Sequence, residues 1–115
     1  MLSDAVPYEP PSDVKAEPYG SNSIKIKWRA PKLSQHFLAY LQGYYIGYKQ
    51  ADSDQPFLFK TIQINNQNDP FEYILNNLNH VTKYKLIVKA FNQKGSGPSS
   101  PEIVLKTRDI GQYNL

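Results

Sequence analysis

The sequence contains no cysteine in its 115 residues. This absence excludes a disulfide framework, a cysteine-based zinc site, a thiol nucleophile and an iron–sulfur cluster. It does not assign a redox compartment, because a domain with an adequate hydrophobic core can live outside the cell without disulfides. At this length folding removes roughly two-thirds of the unfolded chain's surface from water, which is enough for one core and too little for two.

Long apolar runs and strong charge are also lacking. No stretch of about 18 apolar residues is present, so the sequence predicts no transmembrane helix and no direct membrane insertion. The first seven residues lack the basic start and apolar stretch of a signal peptide, so a secreted protein would contain this chain as an excerpt. Thirteen basic against ten acidic residues leave a net charge of +3, too weak to predict nucleic-acid binding.

Catalytic and metal-binding motifs are missing as well. The two histidines, His36 and His80, stand without a nucleophile or a paired acid in a recognisable motif, and no acidic cluster has metal-ligand spacing. The glycines of 95–97 fall in a predicted hairpin and not at a helix N-terminus, so they form no phosphate loop. The sequence therefore predicts no enzyme, no metal and no cofactor.

What is present is a series of short segments with alternating polarity, rich in the nine tyrosines, five phenylalanines and one tryptophan. In the first clear segment Ile24, Ile26 and Trp28 point to one side while the intervening basic residues point to the other. Short alternating runs separated by turn residues are typical of an all-β antiparallel sandwich or barrel. The predicted strands cover residues 14–16, 23–29, 43–49, 59–64, 72–75, 84–91 and 103–107.

One segment does not alternate. Between residues 32 and 42, Leu33, Phe37, Tyr40 and Leu41 recur at helical spacing. A helix of this length is marginal by itself, so we expect a long loop with about one helical turn.

Several separated features follow one another in a recognisable order. They are a Pro-Pro entry at 10–11, Trp28, a Tyr-x-Ile-x-Tyr strand at 44–48, and a run from Leu78 through Thr82 and Tyr84 to Gly97. This combination resembles the fibronectin type III pattern. The resemblance implies an immunoglobulin-like, seven-stranded antiparallel β-sandwich at residues 10–108, with linkers at 1–9 and 109–115.

Structural roles for individual residues accompany this resemblance. Trp28 is large enough to fill the space between two sheets. Tyr84 stands where a "tyrosine corner" lets the hydroxyl bond to backbone between Leu78 and Val81. The glycines at 95 and 97 permit the positive φ of a hairpin. The chain departs from the family at His80-Val81, where Pro-Gly is common.

A narrower likeness lies in residues 43–48, 77–84 and 88–100, which resemble repeats of the Down syndrome cell adhesion molecule family. The resemblance implies an extracellular module in the ectodomain of a single-pass cell-surface adhesion receptor, without catalysis. Its partners would be neighbouring immunoglobulin or fibronectin domains, and the same receptor in cis or trans. The module would space and orient the ectodomain and contribute homophilic or cis contacts.

Other protein classes remain open at this point. An intracellular structural repeat of the muscle type suits the lack of cysteine and of Asn-x-Ser/Thr acceptors equally well. A hormone or cytokine receptor module is disfavoured because the Trp-Ser-x-Trp-Ser repeat is absent before the last strand.

Alternation also indicates candidate interaction residues. Tyr45, Ile87, Phe91 and Val104 are expected to face outwards, and an exposed apolar patch tends to mark an interface. The alternative interpretation is that lysine stems and loops cover them or that they are scattered.

A second candidate is the basic stripe of Lys25, Lys27 and Arg29. Three like charges on one strand face would attract a sulfated glycan or an acidic partner. The alternative is an ordinary solvated sheet face that also discourages edge pairing.

A third candidate is the long loop. In an antiparallel sandwich the loops after the second, fourth and sixth strands lie at the pole where the chain enters. Phe37, Leu38 and Tyr40 should therefore lie near Phe91 and the turn at 95–97. We expect an interdomain or partner contact at this pole; the alternative is that these side chains belong to the core.

Overall fold

A computed structural model describes residues 5–65 and 69–111, and shows two antiparallel sheets packed face to face. Parts of the two predicted linkers, residues 1–4 and 112–115, and residues 66–68 of a predicted polar loop lie outside the described residues. The elements are β1 (Ser12–Pro18), β2 (Ile24–Arg29), α1 (Gln35–Leu38), β3 (Gly43–Gln50), β4 (Leu58–Gln63), β5 (Phe71–Leu75), β6 (Lys83–Asn92), β7 (Gly95–Ser99) and β8 (Ile103–Lys106).

The sheets have the order β1-β2-β5 and β4-β3-β6, with β7 and β8 both pairing with β6. The predicted all-β sandwich is confirmed. The strand count is eight instead of seven because the last strand is split. At the break, the Ser100 hydroxyl accepts the Val88 N–H at 2.9 Å and the Ser100 N–H donates to the Val88 carbonyl. A side chain thus replaces one backbone partner, and the ladder continues.

The hairpin between β6 and β7 is tighter than the sequence indicated. Residues 94–98 were predicted as turn, but Gly95 pairs with Asn92 and the turn is Gln93-Lys94. Gly95 has φ 139°, as expected, whereas no positive φ occurs at Gly97. The expectation of a positive φ at Gly97 was therefore wrong.

The core lies between the sheets and is organised around Trp28. Its ring stacks on Phe71 at 5.9 Å and meets Tyr44 edge-on at 5.4 Å, and Trp28 is 1% exposed. This confirms the predicted position of Trp28 between the sheets. Alternation along β2, β3 and β6 adds further buried residues, which are Ile24, Ile26, Ile46, Leu86, Val88 and Ala90; Leu75 at the end of β5 and Leu78 just after it are also buried.

The tyrosine corner is present. The Tyr84 hydroxyl accepts a hydrogen bond from the Asn79 N–H at 2.8 Å, and both Tyr84 and Leu78 are buried. Thr107 closes the same turn, because its hydroxyl donates to the Asn79 carbonyl and accepts from the Thr82 N–H.

The expected helical turn in the long loop is α1. Ser34 caps it by accepting the Phe37 N–H at 3.2 Å. Within residues 5–65 and 69–111 no helix is long and apolar enough to cross a membrane.

Candidate interaction surface

The side of each strand residue on the five-stranded sheet follows from the pairing register. Tyr45 lies opposite Lys89, Gly47 opposite Ile87 and Gly43 opposite Phe91, so these residues share the outer side of the sheet. Their sequence neighbours Tyr44, Ile46 and Val88 face the core. The outward register predicted for Tyr45, Ile87, Phe91 and Val104 agrees with this pairing, in which Val104 lies opposite Lys85.

An aromatic row crosses this outer side; we use that name for Phe91, Tyr45, Phe59 and Phe57. Phe91 stacks on Tyr45 with ring centroids 4.5 Å apart. Tyr45 meets Phe59 edge-on at 6.3 Å, and Phe59 lies 6.4 Å from Phe57. Such ring pairs stabilise by about 0.5–1.5 kcal/mol beyond area burial. The row therefore connects β6, β3 and the start of β4.

Two glycines on β3 let the row lie flat on the sheet. A Cβ built at Gly47 would come within 2.8 Å of both Ile87 and Phe59, and one at Gly43 within 2.8 Å of the Phe91 ring. Large side chains from the adjacent strands therefore occupy the space above these glycines. This is why Ile87 and Phe91 are only 7% and 8% exposed although they face outwards.

The exposed part of the surface consequently differs from the prediction. Ile87 and Phe91 were expected to be exposed and are instead buried beneath their neighbours. Phe59 is 46% and Val104 53% exposed, and Tyr45 is half-buried. The residues available to a partner are thus Tyr45, Phe59 and Val104.

Lysines surround the aromatic row. The Lys89 ammonium lies 5.2 Å from the Phe59 ring centroid, and the Lys49 ammonium 5.7 Å from that of Phe57. Sequence reasoning missed Phe57, Phe59 and Lys89. The signal was present, because the same alternation that places Ile87 outwards places Lys89 beside it.

The basic stripe on the other sheet has partners. Lys27 lies 3.8 Å from Glu72 and Arg29 lies 3.6 Å from Asp13. The Lys25 ammonium lies 4.7 Å from the centre of the Tyr19 ring. Because carboxylates alternate with these cations, the positive potential is weaker than the stripe alone predicts.

At the pole where the chain enters, Phe37 is buried and does not face a partner. It is 6% exposed and meets the Tyr8 ring edge-on at 5.3 Å. The prediction that Phe37 presents an exposed contact was wrong, because the residues before β1 cover it. Tyr40 is 40% exposed and Leu38 is half-buried, so these two remain accessible.

The covering chain is residues 5–8, which we call the entry segment. Pro7 is fully buried, and the Asn92 amide donates to the Ala5 carbonyl at 2.9 Å. A Cβ at Gly97 would overlap the Pro7 carbonyl. Gly97 is therefore required for close approach of the entry segment to β7.

The other possible sites bring fewer charged or titratable groups together. A cleft of about 500 Å³ opens beside β4, lined in part by Tyr48, Leu58 and Asn77. Lys49 is the charged residue of its lining, so charged groups do not converge there. His36 and His80 are both exposed, on α1 and in a turn. Among the residues that the structure describes, no three His, Asp or Glu side chains are grouped to hold a metal ion.

Comparison with known proteins agrees with the fold. The sequence model of the fibronectin type III domain family matches residues 9–106 of this chain. The human cell adhesion molecule DSCAM is 40% identical over 112 residues, 96% of this chain, and Drosophila melanogaster Dscam1 is 30% identical over 103 residues, 89% of this chain. This chain spans 6% and 5% of those two proteins.

Solved structures give the same assignment. Domains FN1–FN3 of chicken CNTN1 superpose with TM-score 0.76 and 28% identity, covering 90% of this chain and 33% of that one. The FN5 domain of Drosophila Lar superposes with TM-score 0.69 and 28% identity, covering 90% and 99%. Titin domains superpose with TM-score 0.69 at 20% identity over 89% and 32%, a likeness of fold alone. The chain belongs to the fibronectin type III family and is closely related to repeats of the DSCAM cell adhesion molecules.

Proposed function

We propose that this chain is an extracellular module of a cell-surface adhesion receptor, and that it spaces and orients the neighbouring immunoglobulin or fibronectin domains. The sequence likeness to DSCAM proteins supports the receptor class over the muscle-type repeat. The observation that carries the spacing role is the packed entry segment.

A flexible linker lets adjacent domains reorient freely, and this motion is the default unless contacts restrain it. The entry segment has such contacts at three of its four residues. Ala5 is hydrogen-bonded to Asn92, Pro7 packs on Gly97, and Tyr8 packs on Phe37. The direction in which the chain enters the sandwich is therefore set by the domain itself, and an upstream domain would inherit that direction.

Substitution Gly97→Ala tests this role. The new Cβ collides with the Pro7 carbonyl, so we expect the entry segment to detach while the sandwich stays folded. The measurement is the backbone ¹⁵N heteronuclear NOE of Ala5, Val6 and Tyr8, since Pro7 has no N–H; it should be as high as in the strands for the unaltered chain and fall to tail-like values in the variant. Ser96→Ala, on the same strand, is the control and should leave the NOE unchanged.

The consequence for spacing is measured by small-angle scattering of this module joined to the domain that precedes it in its receptor. We expect one well-defined maximum dimension for the unaltered pair and a broader distribution for Gly97→Ala. Low NOE values for Ala5, Val6 and Tyr8 in the unaltered chain would remove the basis of the spacing role.

A second role is contact with another receptor chain in cis or trans. The observation favouring it is the aromatic row, in which the exposed Phe59 and the half-buried Tyr45 lie beside Lys89 on an otherwise regular sheet face. Aromatic residues are enriched at protein interfaces, and tyrosine in particular at binding hot spots.

A further inference from the structure

We infer that the outer face of the five-stranded sheet binds an acidic surface of a partner protein, with a carboxylate side chain of that partner entering between Tyr45, Phe59 and Lys89. This inference rests on the second role proposed above and adds the chemistry of the partner.

A small pocket supplies the entry point. It has a volume of about 220 Å³ and is lined by Tyr45, Phe59, Lys89 and Ser96. Small-molecule sites have volumes of roughly 300–1,000 Å³, so this pocket fits a single side chain better than a metabolite. Its walls are two aromatic rings, and the polar groups of the lining side chains are one ammonium and the hydroxyls of Tyr45 and Ser96.

Lys89 is held in position for an anion. Its ammonium lies 5.2 Å from the centre of the Phe59 ring, where the negative ring face attracts it. A ring cannot accept all three N–H groups of an ammonium, so donors remain for an incoming carboxylate. The adjacent rings exclude water on one side, which strengthens a charge–charge contact relative to an open surface.

The charge of the whole face also favours an acidic partner. On β3, β4 and β6, all of which the structure describes, the charged residues that face outwards are all lysines, and none is a carboxylate. These lysines are Lys49, Lys83, Lys85 and Lys89. Lys106 on β8 lies opposite Lys83 and adds to the same side. The nearby Glu102 lies 4.0 Å from Lys85 and offsets one charge. Complementary potential is what steers and registers an interface, so the matching surface is acidic.

A second copy of the same face is a poor occupant. In a two-fold symmetric contact each patch meets itself, so the lysine-bearing face of one copy would oppose that of the other. Like charges brought together in this way suppress association. The partner is therefore a different surface, on another protein chain.

The test uses the ¹⁵N-labelled 115-residue chain and two synthetic probes. One probe is an acetylated peptide of alternating glutamate and tyrosine, and the other has lysine in place of glutamate. We expect the glutamate peptide to shift the amide signals of Tyr45, Phe59, Lys89 and Ser96, with affinity that falls as sodium chloride rises from 50 to 500 mM. The lysine peptide should leave them unchanged.

Charge reversal provides the matched pair of variants. Lys89→Glu should weaken the glutamate peptide by about tenfold or more, because it replaces attraction by repulsion at the pocket. Lys15→Glu makes the same change in net charge on the exposed face of the other sheet and should have no effect. Equal effects of the two variants would overturn the assignment of Lys89.

The remaining outcomes separate this inference from the second role. If both peptides bind equally well at the aromatic row, the face binds partners without a preference for acidic ones. This result would overturn the inference and leave the second role standing. Binding of a heparin hexasaccharide in place of the glutamate peptide, or self-association through this face in sedimentation velocity, would overturn it in favour of another occupant. If receptor association on cells is also unaffected by Tyr45→Ala, the second role fails with it.

Discussion

Val81 has φ 50° and is 44% exposed, a left-handed backbone conformation for a β-branched side chain. This conformation brings Cβ close to the following carbonyl and costs roughly 1–2 kcal/mol for residues other than glycine. The surrounding corner imposes it, since the Val81 N–H donates to the Arg108 carbonyl and Thr82 is bonded to Thr107. The departure at His80-Val81 therefore leaves strain at the position where the family commonly has glycine.

Replacement Val81→Gly should stabilise the fold by about 1 kcal/mol, the relief of strain exceeding the entropy that glycine adds to the unfolded chain. The melting temperature should rise by roughly 4–8 °C, measured by calorimetry. Asn77→Gly is the control, because Asn77 has φ 63° and asparagine tolerates this region. A less stable Val81→Gly chain would show that side-chain contacts of Val81 outweigh its backbone strain.

At the scale of elements, strand β6 contributes both to the core and to the candidate interaction surface. Its inward residues build the core, and its outward residues Ile87, Lys89 and Phe91 build the candidate surface. The turn that precedes it is closed by the hydrogen bond to the Tyr84 hydroxyl. The corner bond spans five residues of sequence, Asn79 to Tyr84, so it was accessible to sequence reasoning. The split between β7 and β8 was not, because it depends on Ser100 replacing a backbone partner of Val88.

Replacement Tyr84→Phe should destabilise the domain by about 1–3 kcal/mol, because the Asn79 N–H loses its acceptor while the ring still fills its place. Urea denaturation followed by Trp28 fluorescence measures the difference. Tyr40→Phe removes a hydroxyl from an exposed ring and should change stability by less than about 0.5 kcal/mol. Equal values for the two variants would mean that the corner bond contributes nothing net.

At the scale of the whole molecule, the two sheets bury polar groups between them at a cost in folding free energy. Tyr44 is fully buried, and among the described residues neither its hydroxyl nor the Trp28 indole N–H has a hydrogen-bond partner. Burial raises the pKa of the Tyr44 hydroxyl above its ordinary value of 10.0, and the negative charge of Asp69 raises it further. Folding thus favours the neutral phenol.

Because the folded-state pKa of Tyr44 is raised, the unfolded chain loses this proton first as pH increases. The stability associated with Tyr44 is present below about pH 10 and is lost progressively above it. Tyr44→Phe should therefore show a smaller fall in unfolding free energy between pH 9 and 11.5 than the unaltered chain, by urea denaturation. Lysines titrate in both proteins, so the difference between the two isolates Tyr44.

The same variant should be as stable as the unaltered chain or more stable at pH 7. An unpaired buried hydroxyl costs about 1–3 kcal/mol, and phenylalanine fills the same volume without it. Identical pH profiles for the two chains would show that Tyr44 does not titrate differently on unfolding.

Sequence by itself determined the sandwich, the position of Trp28, the tyrosine corner and the side of the sheet on which Tyr45, Ile87 and Phe91 lie. Each of these depends on local properties: side chains alternate along a strand, and a corner closes within a few residues.

The tertiary structure decided which of those side chains a partner can reach. Ile87 and Phe91 are buried because Gly43 and Gly47 on β3 leave room for them. Likewise Phe37 is covered by Tyr8, and Lys27 is paired with Glu72 from β5. Alternation predicts which side of the sheet a residue faces, but it does not predict which side chains lie next to that residue. Those neighbouring side chains come from segments that are distant in the chain.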